Sequence, residues 1–198
     1  TTVFISTRKG LVKYNPETKK AYFYKDGPVD VLKGRVFSFE RKENFLFFIG
    51  NDGVYRFNTT TEQVNKINIP FIEGKPLMAM TIDHKKNYWL MLSDQEAVVK
   101  VSPDLQQYEM YSEFFESGKN TIGNFTSMIS DKKGRIWITT QLDGLLFYNE
   151  RLNKFERILH DPLKVWTPST NLHSSAYCDK DGVMWIAGNN GVNYFNPD

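Results

Sequence analysis

Short apolar segments of strand length recur along the chain at nearly constant spacing. In each repeat an aromatic residue lies at or near the start of a strand-forming segment, and a polar loop then leads to a small residue. These small residues are Gly10, Gly53, Ala97, Gly144 and Gly191, so successive repeats lie 43 to 47 residues apart. A second short apolar segment and a turn follow each of them. Self-similarity at this period indicates a repeat architecture.

Each complete repeat contains four predicted strands, named A to D here. In the fourth repeat strand A spans residues 125–130, strand B 135–139, strand C 145–148 and strand D 155–158. The turn between A and B ends in Gly134, and glycine supplies the positive φ that tight turns need. No segment keeps a 3.6-residue apolar period, so little helix is predicted.

Short antiparallel strands with this period and an aromatic residue on strand B are typical of β-propeller blades. We therefore predict an all-β fold in which residues 1–198 form a partial propeller of about four to five blades, each a four-stranded antiparallel sheet. The predicted blades occupy approximately residues 1–24, 35–67, 76–111, 124–158 and 172–198. The first lacks strand A and the last lacks strand D. Either further blades complete the propeller, or copies of the chain complement one another through open sheet edges.

One aromatic residue on strand B of each blade is predicted to wedge between neighbouring sheets. These residues are Phe4, Phe47, Trp89, Trp137 and Trp185. Buried rings of this size supply much of the packing between sheets. Their recurrence accounts for an aromatic content of 15%.

Charge, cysteine content and hydropathy limit which binding partners, cross-links and membrane contacts are expected. The chain has 25 Lys and Arg residues against 23 Asp and Glu, without a basic stripe, so no nucleic-acid partner is expected. Cys178 is the only cysteine, which excludes an intrachain disulfide or a multi-cysteine metal site and favours a packing role. No apolar run reaches the roughly 18 residues of a membrane span, so direct membrane insertion is not expected. Residues 1–7 resemble a strand rather than a signal peptide, which leaves the compartment open.

Groups suited to catalysis are scarce. The three histidines fall at different positions of the repeat, without the spacing of a metal site: His84, His160 and His173. An aspartate recurs at the A–B turn of three blades and is predicted to form that turn, since one active site would not need one per blade: Asp83, Asp131 and Asp179. We therefore predict no catalytic residue, no metal and no cofactor, and a role in recognition.

The B–C and D–A loops emerge on the same face of a blade, where propellers usually bind ligands. Trp166 lies in a long D–A segment, residues 160–168, and is predicted either to stack on a sugar ring or to cover a hydrophobic sheet edge. Amide and charged side chains of these loops suit bidentate hydrogen bonds with hydroxyl groups. The candidate ligand-binding residues are Trp166, Lys164, His160, Arg8, Asn51, Gln141, Asp143, Asn189 and Asn190.

Two runs of the chain share a longer signature. Residues 131–140 read Asp-Lys-Lys-Gly-Arg-Ile-Trp-Ile-Thr-Thr, and residues 179–188 read Asp-Lys-Asp-Gly-Val-Met-Trp-Ile-Ala-Gly. Both runs precede a Gly and then an aromatic-Asn pair. They resemble the two-component regulator propeller repeat, whose pattern is an acidic residue, a Gly turn, Ile-Trp-Ile-Gly-Thr, Gly-Leu and Tyr-Asp/Asn-Pro. The second and third repeats depart from it, with Phe47 in place of Trp and Ala97 in place of Gly.

The resemblance implies a periplasmic sensor region of a hybrid histidine kinase/response regulator of gut Bacteroidetes. Such regions commonly respond to oligosaccharides and belong to inner-membrane sensor proteins. The implied partners are an oligosaccharide ligand and the remaining blades of a parent propeller, or another copy of the chain. Two alternatives stay open: an interaction or oligomerisation scaffold without a small ligand, and a propeller lyase or hydrolase. The lyase or hydrolase needs a convergent His/Glu/Asp set that the three histidines do not provide.

Overall fold

The computed structural model describes residues 2–24, 32, 34, 36–93, 97–112, 125–165 and 167–198. Within these ranges the regular structure is almost entirely β, and the one helical element of three residues is a 3-10 turn at Pro70–Ile72. The all-β fold predicted from the repeat is confirmed. In the described part of the chain, no helix is long and apolar enough to cross a membrane.

In the described part of the chain, five antiparallel sheets follow one another. Within each sheet, every strand pairs with the strands next to it in sequence. The first sheet holds β1 (Val3–Thr7), β2 (Gly10–Asn15) and β3 (Lys20–Phe23). The second holds β4 (Phe37–Lys42), β5 (Phe45–Gly50), β6 (Gly53–Asn58) and β7 (Val64–Ile67). The third holds β8 (Leu77–Ile82), β9 (Tyr88–Leu92), β10 (Ala97–Val101) and β11 (Tyr108–Tyr111).

The last two sheets complete the series. The fourth holds β12 (Phe125–Ser130), β13 (Ile136–Thr140), β14 (Leu145–Asn149) and β15 (Lys154–Ile158), and the fifth holds β16 (His173–Cys178), β17 (Met184–Gly188) and β18 (Gly191–Phe195). The first and last sheets have three strands and the middle three have four, as the sequence predicts for blades lacking strand A or strand D. The chain forms two compact units, Thr1–Met80 and Thr81–Asp198, which are described separately.

Strand-B aromatics form the wedges between sheets within each unit. In the second unit the Trp89 ring lies 4.7 Å from that of Tyr148 on the fourth sheet, and Trp137 lies 5.4 Å from Phe195 on the fifth. In the first unit Phe4 meets Phe57 of the second sheet at 5.8 Å. The wedge prediction is confirmed at these three strand-B positions.

Trp185 and Phe47 differ from the other strand-B aromatics. Trp185 stacks on Tyr194 of its own sheet at 5.3 Å and stays 41% exposed. The other wedges pack on the sheet that follows them in the chain, and none follows the fifth sheet here, so the wedge prediction at Trp185 stays untested. Phe47 is half-buried, and its ring lies 6.4 Å from that of Phe45 on the same strand.

Hydroxyl groups on the A strands join consecutive sheets inside each unit. Ser127 Oγ accepts the Ala176 N–H at 3.0 Å, and Thr126 Oγ1 donates to the His173 carbonyl at 3.0 Å. Ser38 Oγ accepts the Met80 N–H at 2.8 Å in the first unit. Each hydroxyl lies at a register shift of its strand, where a bulge leaves a backbone segment free for a new partner.

Candidate functional site

The chain between β15 and β16, residues 159–172, forms a folded segment that we call the D–A segment. Thr167 closes its first turn: Thr167 Oγ1 accepts the Asp161 N–H at 3.0 Å and donates to the Asp161 carbonyl at 3.0 Å. Lys164 Nζ pairs with Asp161 Oδ2 at 2.8 Å, and this hydrogen bond lowers the pKa of Asp161. Trp166, the leading candidate from the sequence, lies outside the described residues.

Amide groups fix the far half of the D–A segment to the B–C loop of the fourth sheet and to β18 of the fifth. Within the segment, Asn171 accepts the His160 N–H on Oδ1 at 2.6 Å, and its carbonyl accepts the Gly144 N–H of the B–C loop at 3.2 Å. Asn193 on β18 accepts the Ser169 N–H at 3.0 Å and donates from Nδ2 to Ser169 Oγ at 3.1 Å. These bonds hold the segment against both sheets without a regular secondary structure.

Two glycines permit this close approach. A Cβ at Gly144 would lie 2.5 Å from the Ile158 carbonyl, and Gly144 has φ of +73°. A Cβ at Gly188 would lie 2.6 Å from the Leu172 carbonyl. Any larger residue would push the D–A segment away from the loops. Of these two, Gly144 is one of the repeating small residues, so the repeat has a steric reason at that position of the second unit.

A groove of about 530 Å³ lies beside the D–A segment. Val165, Thr167 and Pro168 form one wall, and Val192 and Tyr194 of β18 belong to the other. The floor includes the core residues Leu145 and Ile186. Tyr194 is 70% exposed and Val192 63% exposed, so apolar surface is presented next to the amide of Asn193.

The structure brings several predicted residues to this end of the second unit. His160 Nδ1 shares a hydrogen bond with the Pro168 carbonyl at 2.7 Å, and Asn190 Nδ2 donates to the Ser169 carbonyl at 3.2 Å. The backbone N–H of Asn189 donates to the Leu172 carbonyl at 3.3 Å. These three residues thus support the D–A segment, which makes them positioning residues of the groove.

Gln141 and Asp143 lie on the B–C loop of the fourth sheet. Asp143 pairs with Arg157 at 3.3 Å, and its N–H donates to Thr140 Oγ1 at 2.8 Å. Gln141 is exposed at the start of the same loop. Neither residue lines the groove.

Arg8 and Asn51 belong to the first unit and are described there. Arg8 lies on the exposed turn between β1 and β2, beside a hollow of about 320 Å³ that Phe23 also lines. Asn51 lies on the turn between β5 and β6, with its amide against Gly34. Their place in a ligand site stays a prediction.

His173 lies at the base of this end and was predicted only as a scattered histidine. Its side chain is 2% exposed, and neither ring nitrogen makes a hydrogen bond within the described part of the chain. Burial lowers the pKa of His173, with the nearby backbone of Gly144 and Thr170 opposing the shift. The imidazole is therefore held in its neutral form.

Sequence reasoning missed Asn171, Asn193 and Tyr194. Asn193 carried a signal, because the corresponding strand-C position holds Val12, Val99 or Leu146 in three other repeats. A polar residue in an apolar register position indicates a special contact, here with Ser169. Asn171 and Tyr194 carried no such signal.

The sequence matches no protein-family model and no curated protein. The fold is similar to the extracellular domain of a putative one-component system from B. thetaiotaomicron, with a TM-score of 0.70 and 16% identity over 98% of this chain and 25% of that one. An extracellular domain of a putative hybrid two-component system from the same organism gives 0.64 and 17% identity over the same shares. Virginiamycin B lyase from Staphylococcus aureus gives 0.62 and 13% identity over 100% of this chain and 67% of the lyase.

These likenesses define the class of fold: the sheets are blades of a β-propeller. The propeller architecture expected from the repeat signature is confirmed. The chain spans about a quarter of the two extracellular domains. The same fold serves extracellular domains and a lyase, so the fold alone does not assign an activity.

Proposed function

We propose that the chain is the ligand-recognition part of a periplasmic sensor, and that it binds an oligosaccharide in the groove beside the D–A segment. The observation that carries the proposal is the anchoring of this segment to the B–C loop of the fourth sheet by Asn171 and to strand β18 by Asn193. A loop held by its own hydrogen bonds is ordered before ligand arrives, which reduces the entropy cost of binding.

The surface of the groove suits a sugar. A sugar ring offers apolar C–H faces and a rim of hydroxyls, and the groove is lined by the exposed Tyr194 together with the polar residues Asn193 and Thr167. Trp166, between two groove residues in sequence, is proposed to supply a second ring. Few precisely placed polar groups on an apolar lining are typical of small-molecule sites.

A sensor role is supported by the fold of the extracellular domains from one- and two-component systems. We propose that the parent protein carries a histidine kinase module and an inner-membrane anchor. The propeller blades would then transmit ligand occupancy by rearrangement or dimerisation.

The test is isothermal titration of the 198-residue chain with a panel of oligosaccharides. We expect at least one to bind, and we expect Tyr194→Ala and Trp166→Ala each to weaken it by about tenfold, the loss of one aromatic stacking contact. Tyr177→Ala is the matched control, because Tyr177 is 65% exposed on the same sheet and does not line the groove. Binding that ignores both groove variants, or no binding across the panel, would reject the proposal.

A second candidate, a scaffold that joins another copy of the chain, is favoured by the apolar surface of the terminal sheets. Trp185, Tyr194 and Tyr177 are exposed on the fifth sheet, and Val3 and Ile5 on the first. Exposed apolar surface of this kind commonly marks association sites. This candidate predicts a weight-average mass that rises with concentration in sedimentation equilibrium, without any oligosaccharide, and a monomer at all concentrations would exclude it.

A further inference from the structure

A second cleft, of about 340 Å³, lies in the second unit at the end that carries the A–B and C–D turns. It is separate from the groove, which lies at the end with the B–C and D–A loops. Its charged lining comes from the A–B turn of the third sheet, strand β10, and two turns of the fourth sheet. The basic side chains are His84, Lys85, Lys100, Lys133 and Arg135, and the acidic ones are Asp83 and Glu150.

Both carboxylates of the cleft are already engaged by the chain. Asp83 is buried, and its two oxygens accept four hydrogen bonds, including the Trp89 indole N–H at 2.9 Å and the Asn87 amide at 2.8 Å. Glu150 pairs with Lys85, and this hydrogen bond lowers the pKa of Glu150, which keeps the pair ionised. Neither acid makes a direct ion pair with a second lysine, although the charge of Lys100 also contributes to the lowered pKa of Glu150.

Lys100 makes no direct ion pair in the described part of the chain, although its charge acts on nearby Glu150. Its Nζ lies 5.6 Å from the ring centroids of both Trp89 and Tyr148. Two aromatic faces attract an ammonium group and restrict its rotamers, but they do not cancel its charge. The half-buried Lys100 is thus a positioned cation at the wall of a cleft.

His84 closes the cleft from the third sheet. Its ring lies so close to the A–B turn of the fourth sheet that a Cβ at Gly134 would be 2.1 Å from His84 Nδ1. Lys133 and Arg135 approach from that same turn and share Asp198 as a partner, at 2.9 and 2.8 Å. Donors from two sheets therefore converge around the space in front of Lys100.

We propose that this cleft binds an oxyanion, the carboxylate, sulfate or phosphate group of a small ligand, with Lys100 as its main charged contact. An anion would give Lys100 the direct ion pair that the chain's own carboxylates do not supply, and charge-assisted hydrogen bonds to such oxygens are among the strongest available. This inference does not depend on the proposed sugar groove, which uses none of these residues.

The test is an NMR titration of the 198-residue chain with sodium phosphate, sulfate and acetate, each at constant ionic strength set by chloride. The reporter is the indole N–H of Trp89, which lies in the cleft wall, and the Trp185 indole is the internal control. We expect a saturable shift at Trp89 with at least one anion. We expect Lys100→Met to weaken binding by about tenfold, and Lys100→Arg to retain it, because Arg keeps the charge.

Lys180→Met is the matched variant, since Lys180 is an exposed turn lysine outside the cleft. It should leave the anion affinity unchanged. A linear, unsaturable response at Trp89 in the wild-type chain would overturn the proposal whether or not the variants fold. Equal affinity in Lys100→Met would overturn it as well. The anion that saturates identifies which oxyanion the cleft prefers.

Discussion

Trp137 donates its indole N–H to Asp131 Oδ2 at 3.0 Å, across the six residues that separate them. The same bond joins Asp83 to Trp89 at 2.9 Å and Asp179 to Trp185 at 2.8 Å. In each case the other carboxylate oxygen accepts the backbone N–H groups two and four residues later. In each of these blades one aspartate thus shapes the A–B turn and sets the orientation of the tryptophan. Asp83 and Asp131 are buried, whereas Asp179 is half-buried beside the exposed Trp185. In the second repeat Phe47 takes the place of the tryptophan. The residue six positions before it is Arg41, where the other three repeats have aspartate.

Removing this carboxylate should destabilise the second unit. In Asp131→Ala the Trp137 indole and two backbone N–H groups lose their acceptor in a buried setting, which should cost about 2–4 kcal/mol. Urea unfolding followed by tryptophan fluorescence measures the change. Asp181→Ala, the same change at an exposed position of the equivalent turn in the fifth sheet, should leave the midpoint almost unchanged. Equal effects of the two substitutions would show that the carboxylate does not orient the tryptophan.

Gly134→Ala should lower the free energy of unfolding by more than the strain of a left-handed backbone alone. Gly134 has φ of +79°, and its new Cβ would collide with His84, whereas Gly74 has φ of +72° with open space around it. We expect Gly74→Ala to cost about 1–2 kcal/mol from backbone strain, and Gly134→Ala about 1–3 kcal/mol more from overpacking. Thermal unfolding of both variants measures the difference. Adding His84→Ala to Gly134→Ala should recover most of the excess, and no recovery would contradict the contact.

The buried His173 should make the chain less stable in mild acid. Its pKa is lowered by burial, so the unfolded chain binds a proton more readily than the folded chain as the pH falls below the ordinary value of 6.5. The destabilisation that His173 causes is absent well above pH 6.5. It grows as the pH falls toward the lowered pKa of His173 in the folded chain. Urea midpoints between pH 7.5 and 5.0 should fall less steeply in His173→Asn than in the wild-type chain.

His84→Asn is the control for the loss of one histidine, because His84 is exposed, and its slope is compared with that of His173→Asn. An identical slope in His173→Asn would mean that another group titrates in this range.

Asn193→Leu should release the D–A segment while preserving the sheet. Leucine restores the apolar residue that Leu146 provides in the fourth repeat, so global stability should hold, but Ser169 loses both side-chain bonds. Hydrogen exchange of the Ser169 amide should accelerate by about tenfold or more, since local opening becomes easier. Amides of β13 should exchange as before. Unchanged protection at Ser169 would show that Asn193 does not anchor the segment.

The strand pattern was predictable because each blade repeats the same local chemistry. The Gly turns and the strand-B aromatics gave strands that agree with β12 to β15 to within one residue. The groove was harder to predict, because its anchors join residues that are distant in sequence, such as Gly144 with Asn171 and Ser169 with Asn193. His160, Asn189 and Asn190, predicted as ligand contacts, make hydrogen bonds within or to the D–A segment, and their contact with ligand stays a prediction.

The cleft at Lys100 left no trace in the sequence. A lysine on strand C is unremarkable by itself, and its meaning depends on Trp89 and Tyr148 meeting across two sheets and on Asp83 being occupied by its own turn. The arrangement of charged groups around Lys100 becomes visible only when the side chains of two blades are placed together.

The most direct test of the account is hydrogen exchange of the chain with and without the oligosaccharide that binds best in the titration panel. We predict that ligand protects the D–A segment, residues 159–172, together with residues 189–196, and leaves the A–B turns unchanged. Protection confined to other segments, or none at a saturating concentration, would contradict recognition at this groove.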